Sequence, residues 1–251
     1  MLRRMTIAAV FTIIIGAALA VAAEAPYEEY FDQSFPLTSN GAVSLENING
    51  DVSIDVWVRD EVQVQAVKRA SSPELLAELA IDITATASRV EVETDYPRHS
   101  RGGRMSVEYT LMIPMAATVD SVELVNGSLR ISGVQGGANI ECVNGSIDAR
   151  QLAGPISIES VNGSTDLWLD ATWDGDAVSL EAVNGSVDVY LAPGANVTVD
   201  ADTVNGTIEN DLGLEVHKGK YVGSSMRGAI GSGGGRLSIG TVNGGISVHG
   251  S

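Results

Sequence analysis

One phrase returns through the second half of the chain: an alternating strand, then Val-Asn-Gly-Ser or Val-Asn-Gly-Thr, then another alternating strand. It is written as VELVNGSLRIS, IECVNGSIDAR, IESVNGSTDLW, LEAVNGSVDVY and DADTVNGTIEN, with a relative before it, ENINGDVSI, and one after it, IGTVNGGISV. The turn asparagines Asn126, Asn144, Asn162, Asn184 and Asn205 fall 18, 18, 22 and 21 residues apart. A unit of about 20 residues is too short to bury its own apolar face, so its neighbours must complete it; propeller blades need roughly 40 residues or more. The expected fold is therefore all-β: a single-domain β-solenoid of stacked coils, 18–22 residues each.

Aligning the copies on the asparagine separates an inside from an outside. Val122, Ile140, Ile158, Leu180 and Ala201 stand four residues before it, and Leu129, Ile147, Thr165, Val187 and Ile208 three after it. Both columns are mostly aliphatic and are expected to face inward. Beside them run polar columns, Glu123, Glu141, Glu159, Glu181 and Asp202 on one side and Arg130, Asp148, Asp166, Asp188 and Glu209 on the other. Such period-two alternation marks strands with one wet face. The column of Leu124, Cys142, Ser160, Ala182 and Thr203 is mostly small, which suits a cramped interior corner.

The corners themselves are the pairs Asn126-Gly127, Asn144-Gly145, Asn162-Gly163, Asn184-Gly185, Asn205-Gly206 and Asn243-Gly244. Glycine takes positive φ without steric cost and asparagine tolerates it. Asn-Gly is also the strongest hairpin signal. Two readings therefore stand: successive strands pair through the turn, or they bend onto different sheets. Under either reading simple alternation puts Val125, Val143, Val161, Val183 and Val204 outside, and two places are open to them: filling the corner or forming an exposed apolar stripe.

Ahead of the repeats, Arg3 and Arg4 precede an apolar run from Met5 to Ala23 and small residues at 22–25. Residues 1–23 read as an export signal, with a retained membrane anchor as the second reading. The chain then divides into residues 24–121, with N-terminal strands, one short helix and the first coils, and residues 122–251, the regular repeats with a Gly-rich penultimate turn. The helix is expected in SSPELLAEL, where Ser71 and Glu74 have capping-box spacing and Pro73 fits the first turn, and it is expected to shield a sheet edge.

The formal charge is −17, which argues against nucleic-acid partners. One cysteine, Cys142, excludes an internal disulfide and reads as a buried thiol. A basic cluster, Arg98, His99, Arg101 and Arg104, breaks the acidity in the loop YPRHSRGGR; it is either a solvated hairpin tip or a contact for phosphate or carboxylate. From Asn205 to Asn243 is 38 residues, close to two periods with a degenerate middle turn. The Gly-rich run in that interval lacks the Gly-Lys-Ser/Thr of a phosphate loop and reads as a turn.

The succession of SLENINGDVSIDVWVRDEVQVQAVKRA, SVEYTLMIP, serial VNGS turns and a Gly-rich segment leading into TVNGGISV resembles the toastrack family, bacterial putative-adhesin domains of β-strand repeats. That resemblance covers nearly all of the chain after residue 23. It implies a solenoid facing the cell envelope, periplasmic or at the cell surface, in relatives linked to adhesion or envelope-stress signalling. It carries no catalytic residues and no cofactor.

Three functions follow. An enzyme on a β-helix scaffold, acting on carbohydrate, would use paired acids. Here, however, the acids follow the repeat's own period, and His99, His217 and His249 have no metal or triad spacing. A metal-binding acidic solenoid would bridge Glu123, Glu141, Glu159, Glu181 and Asp202 with divalent cations. The favoured reading is a non-enzymatic, exported, envelope-associated β-repeat protein with a structural, adhesin-like or ligand-binding role. Its partners would be envelope glycan, lipid headgroups or another envelope protein, with Trp168 and Trp173, or Arg98, Arg101 and Arg104, as candidate contacts.

Overall fold

A computed structural model describes residues 26–97, 103–169, 173, 175–220 and 222–250. The expected signal, residues 1–23, and Arg98, His99 and Arg101 lie outside the described residues. The N-terminal strands are β1 (Tyr27–Pro36), β2 (Ala42–Asn49), β3 (Val52–Trp57), β4 (Glu61–Ala70), β5 (Ala80–Ala85), β6 (Arg89–Asp95) and β7 (Met105–Pro114). The repeats follow as strand pairs: β8 and β9 (Thr118–Asn126, Leu129–Ser132), β10 and β11 (Ala138–Asn144, Ile147–Arg150), β12 and β13 (Ile156–Asn162, Thr165–Leu169), β14 and β15 (Ala177–Asn184, Val187–Leu191). The C-terminal part holds β16 (Val197–Asn205), β17 (Ile208–Asn210), β18 (Val216–Lys218), β19 (Ser224–Ile230), β20 (Gly235–Asn243) and β21 (Ile246–Gly250).

These strands make two large mixed sheets, neither closed into a barrel. One has ten strands in the order β1-β4-β7-β3-β9-β11-β13-β15-β21-β17, the other eleven in the order β18-β19-β16-β20-β14-β12-β10-β8-β2-β6-β5. Every Asn-Gly turn carries the chain from the 11-stranded sheet to the 10-stranded one, so the hairpin reading gives way to the bend. Neighbouring copies pair parallel and in register: Ile140 lies opposite Ile158, Ile158 opposite Leu180, and Asn144 opposite Asn162. Both aliphatic columns point into the space between the sheets and are buried, Thr165 included. Each fully buried Leu, Ile or Val side chain contributes roughly 1.5–3 kcal/mol, so the apolar interior is the main stabilising term.

The order of the copies in space departs from their order in the chain. After β17 the chain does not add a degenerate layer, as two periods of spacing suggested. It forms β18 and β19, and β19 runs antiparallel along the outer edge of β16. The segment Gly231–Gly234 then arches over the start of β16, where Asn196 Oδ1 accepts from the Ser232 amide and hydroxyl at 2.9 and 3.0 Å. Strand β20 therefore enters on the inner side of β16 and pairs parallel to both β16 and β14. The last copy in sequence sits between the fourth and fifth regular copies, those of Asn184 and Asn205.

At the other end β6 pairs parallel with β2 in one sheet and β7 parallel with β3 in the other, and β4 and β1 extend the 10-stranded sheet antiparallel. The short helix α1 (Pro73–Glu78) joins β4 to β5 and packs against β4 and β1 with none of its residues buried. Its cap is Ser72, not Ser71: Ser72 Oγ accepts from Leu75 N–H at 3.3 Å. Ser71 is otherwise engaged, its Oγ accepting from the Arg104 amide at 3.1 Å.

Candidate functional site

Stacked corners bring the seven asparagines into one file. Asn126, Asn144, Asn162, Asn184, Asn243 and Asn205 each donate from Nδ2 to the Oδ1 of the preceding layer's asparagine, beginning at Asn49, over 2.8–3.0 Å. Identical amides at the strand spacing of about 4.8 Å satisfy one another in this way. Tyr96 closes the Asn49 end: its Oη accepts from the Asn49 amide at 3.1 Å and faces Asn47 Oδ1 and the Asn49 carbonyl, both at 3.0 Å. Beneath the asparagines the glycines pack backbone on backbone. A Cβ on Gly145 would lie 2.0 Å from Gly127 O, and one on Gly185 1.7 Å from Gly163 O. Close approach, present even where φ is extended, is what requires glycine in this file.

Immediately before the corner, the outer face of the 11-stranded sheet carries the two columns seen in the sequence. Ile48, Val125, Val143, Val161, Val183, Val242 and Val204 form an apolar stripe, each 38–50% exposed, so they do not fill the corner. Alongside runs an acidic file longer than the repeats alone indicate: Asp82, Glu93, Glu46, Glu123, Glu141, Glu159 and Glu181 lie opposite one another in successive strands. Asp202 is not next to Glu181 as expected, because Gly240 of the inserted layer stands between them. Between stripe and file lies a groove of about 620 Å³, with Val222 and Gly223 closing one side.

The 10-stranded sheet carries a different array. Arg150, Trp168, Tyr190 and His249 occupy one column, with Trp168 and Tyr190 stacked at 4.7 Å and Tyr190 and His249 at 4.9 Å. The Arg150 guanidinium lies 4.0 Å over the Trp168 ring and bonds Asp148 at 2.7 Å. Both faces of Trp168 are thus covered, and only its edge is open. A sugar ring needs a face, so the expected stacking site is not formed there. Trp173 does not join it: it is buried at 9% exposure in the back corner beside Gly175 and Gly235, following its strand as the buried Val134 and Leu152 follow theirs. Arg104 stands exposed at the start of β7, tied through its backbone to Ser71.

The charge files shift the carboxyls within them. Burial first, and then the charges of Glu123, Glu93 and Glu91, hold the Glu46 carboxyl above its ordinary value of 4.5. Asp166 is raised from 3.8 by burial and then by Asp188 and Asp148, with Arg150 opposing. A carboxyl raised in the folded state binds its proton more tightly there, so its contribution to stability is full below the unfolded value and lost as pH rises through the folded one. Replacing Glu46 with Gln is therefore expected to raise the melting temperature by about 1 °C at pH 7 in low salt. Below 4.5 the two proteins should melt together. Equal melting at neutral pH would remove repulsion from the account.

Cys142 is buried in the interior corner with its Sγ 3.5 Å from the Gly127 carbonyl, and burial pushes its thiol up, away from nucleophilic use. Among the described residues no group of three or more His, Cys, Asp or Glu is placed to hold a metal ion. His217 faces Glu215 at 3.7 Å and His249 faces Asp211 at 3.5 Å, in separate places. Sequence reasoning missed His249 and Gly240, because the partners of the last copy follow from its insertion; it also missed Tyr190, although Tyr190 and Trp168 each stand six residues after their turn asparagine and so share a column.

No protein-family model matches the chain, and no curated protein matches it in sequence. Solved structures do match. A "putative cell adhesion protein" from Clostridium sporogenes superposes with a TM-score of 0.53 at 15% identity, covering 90% of this chain and 100% of the other. A "putative adhesin" from Bacteroides fragilis gives a TM-score of 0.42 at 12% identity, over 88% of this chain and 97% of the other. A "putative lipid binding protein" from Parabacteroides distasonis gives 0.37 at 9% identity, over 88% and 96%. The superposition on the first of these, over 90% of this chain, gives the two mixed sheets a toastrack-like fold.

Proposed function

We propose that the chain is an exported, non-enzymatic β-solenoid whose repeated outer faces bind an envelope component in an adhesin-like role. One observation carries the reading: in-register stacking turns single residues of each copy into long files, the valine stripe and the acidic file above all. Such faces suit an extended partner better than a small substrate, because every layer offers the same contact. The description of the Clostridium sporogenes structure as a cell adhesion protein agrees with this role. Residues 1–23 act as the signal, and the 24–121 segment caps the regular layers of 122–251. The open edge of the aromatic file, in place of a ring face, and Arg104 are secondary contacts.

Fractionation tests the proposal. The expected result is a processed protein, shortened by about 23 residues, recovered with the periplasm or envelope and cut by protease only when the envelope is opened or at the cell surface. Recovery of the unprocessed chain in the cytoplasm would overturn it.

A further inference from the structure

The groove on the 11-stranded sheet has a chemistry that selects its occupant. Its valine wall, Val143, Val161, Val183, Val242 and Val204, faces the carboxylates of Glu141, Glu159, Glu181 and Asp202, and no cation stands among its lining residues. The cation at its rim, Arg227, is already paired, with Asp200 at 2.8 Å and Asp202 at 3.3 Å. A second copy of this chain laid on the groove would bring two acidic files together, and an anionic lipid surface would be repelled in the same way. The fitting partner is apolar along one line and positively charged beside it.

Spacing then chooses its conformation. Successive valines are about 4.8 Å apart along the stack. An extended chain presents same-side residues roughly every 6.6–6.8 Å and falls out of step after two layers. A helix lying along the stack presents residues i, i+3 and i+4 at about 4.5–6 Å and keeps pace with the layers. At Gly240 the acidic file has a gap, where even an added Cβ would meet nothing within 4 Å. A bulky basic side chain can enter there and reach Glu181 on one side and Asp202 on the other.

On the reading of the chain as a binding scaffold, we propose that this groove docks a cationic amphipathic helix of a partner protein, its aliphatic row on the valine stripe and its Lys or Arg flank on the acidic file. The probe is a labelled helical peptide of about 18 residues, with leucines at i, i+3 and i+4 and lysines on the adjoining face, titrated into the full-length protein. Binding is expected to weaken about tenfold on Val161→Asp, on the pair Glu159→Gln and Glu181→Gln, and on raising salt from about 50 to about 500 mM. Gly240→Gln, which fills the gap without adding charge, should weaken it too, and all variants should melt like the parent within a few degrees.

No binding of the Leu/Lys peptide would overturn the proposal, as would equal binding of a Lys/Ser peptide, because the groove would then read charge alone. Self-association lost in Val161→Asp would assign the stripe to a second copy, and capture by phosphatidylglycerol vesicles would assign it to lipid; either result overturns it. Failure of the peptide in a protein that is still exported sinks this inference alone. A cytoplasmic protein sinks the scaffold reading instead.

Discussion

Replacing Gly145 with alanine is expected to lower the melting temperature by roughly 10 °C or more, while the same change at Gly240 leaves it within a degree or two. The two glycines lie on neighbouring parts of the same fold and differ in what a methyl group would meet. At Gly145 it would come within 2.0 Å of Gly127 O and 2.6 Å of Gly127 C. That carbonyl belongs to the next corner of the same file and cannot retreat, because Gly127 N–H is bonded to Asn144 O at 3.0 Å and Gly145 N–H to Asn162 O at 3.0 Å. Moving either layer breaks ladder bonds on both sides, so the cost is about 4 kcal/mol or more. At Gly240 there is open space within 4 Å. Thermal unfolding followed by circular dichroism reads the difference, and two variants that melt alike would show that the corners are not packed backbone on backbone.

Ending the chain after Gly234 is expected to do more damage than removing an end layer from a stack laid down in sequence order. The lost strands β20 and β21 are paired on both sides, β20 with β14 and β16, β21 with β15 and β17. With them go Leu237, Ile239, Ile246 and Val248, all at 2% exposure or less, and the asparagine that links Asn184 to Asn205. Two layers would face a gap with their ladder groups unpaired, and such edges recruit other chains. The truncated protein should unfold without a cooperative transition and sediment as aggregate. A monomer melting cooperatively within a few degrees of the parent would mean that β16 and β17 close directly onto β14 and β15, and that the inserted layer is dispensable.

Much of the architecture was legible because the repeat is short. A copy of about 20 residues has to bury its aliphatic columns against its neighbours, so Val122, Ile140, Ile158 and Leu180 on one side and Leu129, Ile147 and Val187 on the other were assigned inward from alternation alone, and they are buried. The corner column of Cys142 and Ser160 was legible for the same reason. The candidate contacts were less so. Trp168 does point out of the sheet, but whether an outward ring offers a face depends on what the adjacent layers hold at that position. Here they hold Arg150 and Tyr190. Trp173 falls in the irregular copy, where counting by twos has no meaning after the strand ends, and it plugs a corner.

The sequence alone determined that this protein is all-β, that its Asn-Gly pairs are equivalent corners, and which face of each strand is wet, because these depend on periods of two and of about 20 residues that are written into the chain. Tertiary structure decided the order of the layers. Every copy offers its neighbours the same aliphatic columns and the same asparagine, so burial and ladder bonding are satisfied by more than one order. The antiparallel return along β19 and the Gly231–Gly234 arch over Asn196 select the order in which the final copy enters the stack. That choice sets Gly240 between Glu181 and Asp202 and His249 upon Tyr190, which no local pattern encodes.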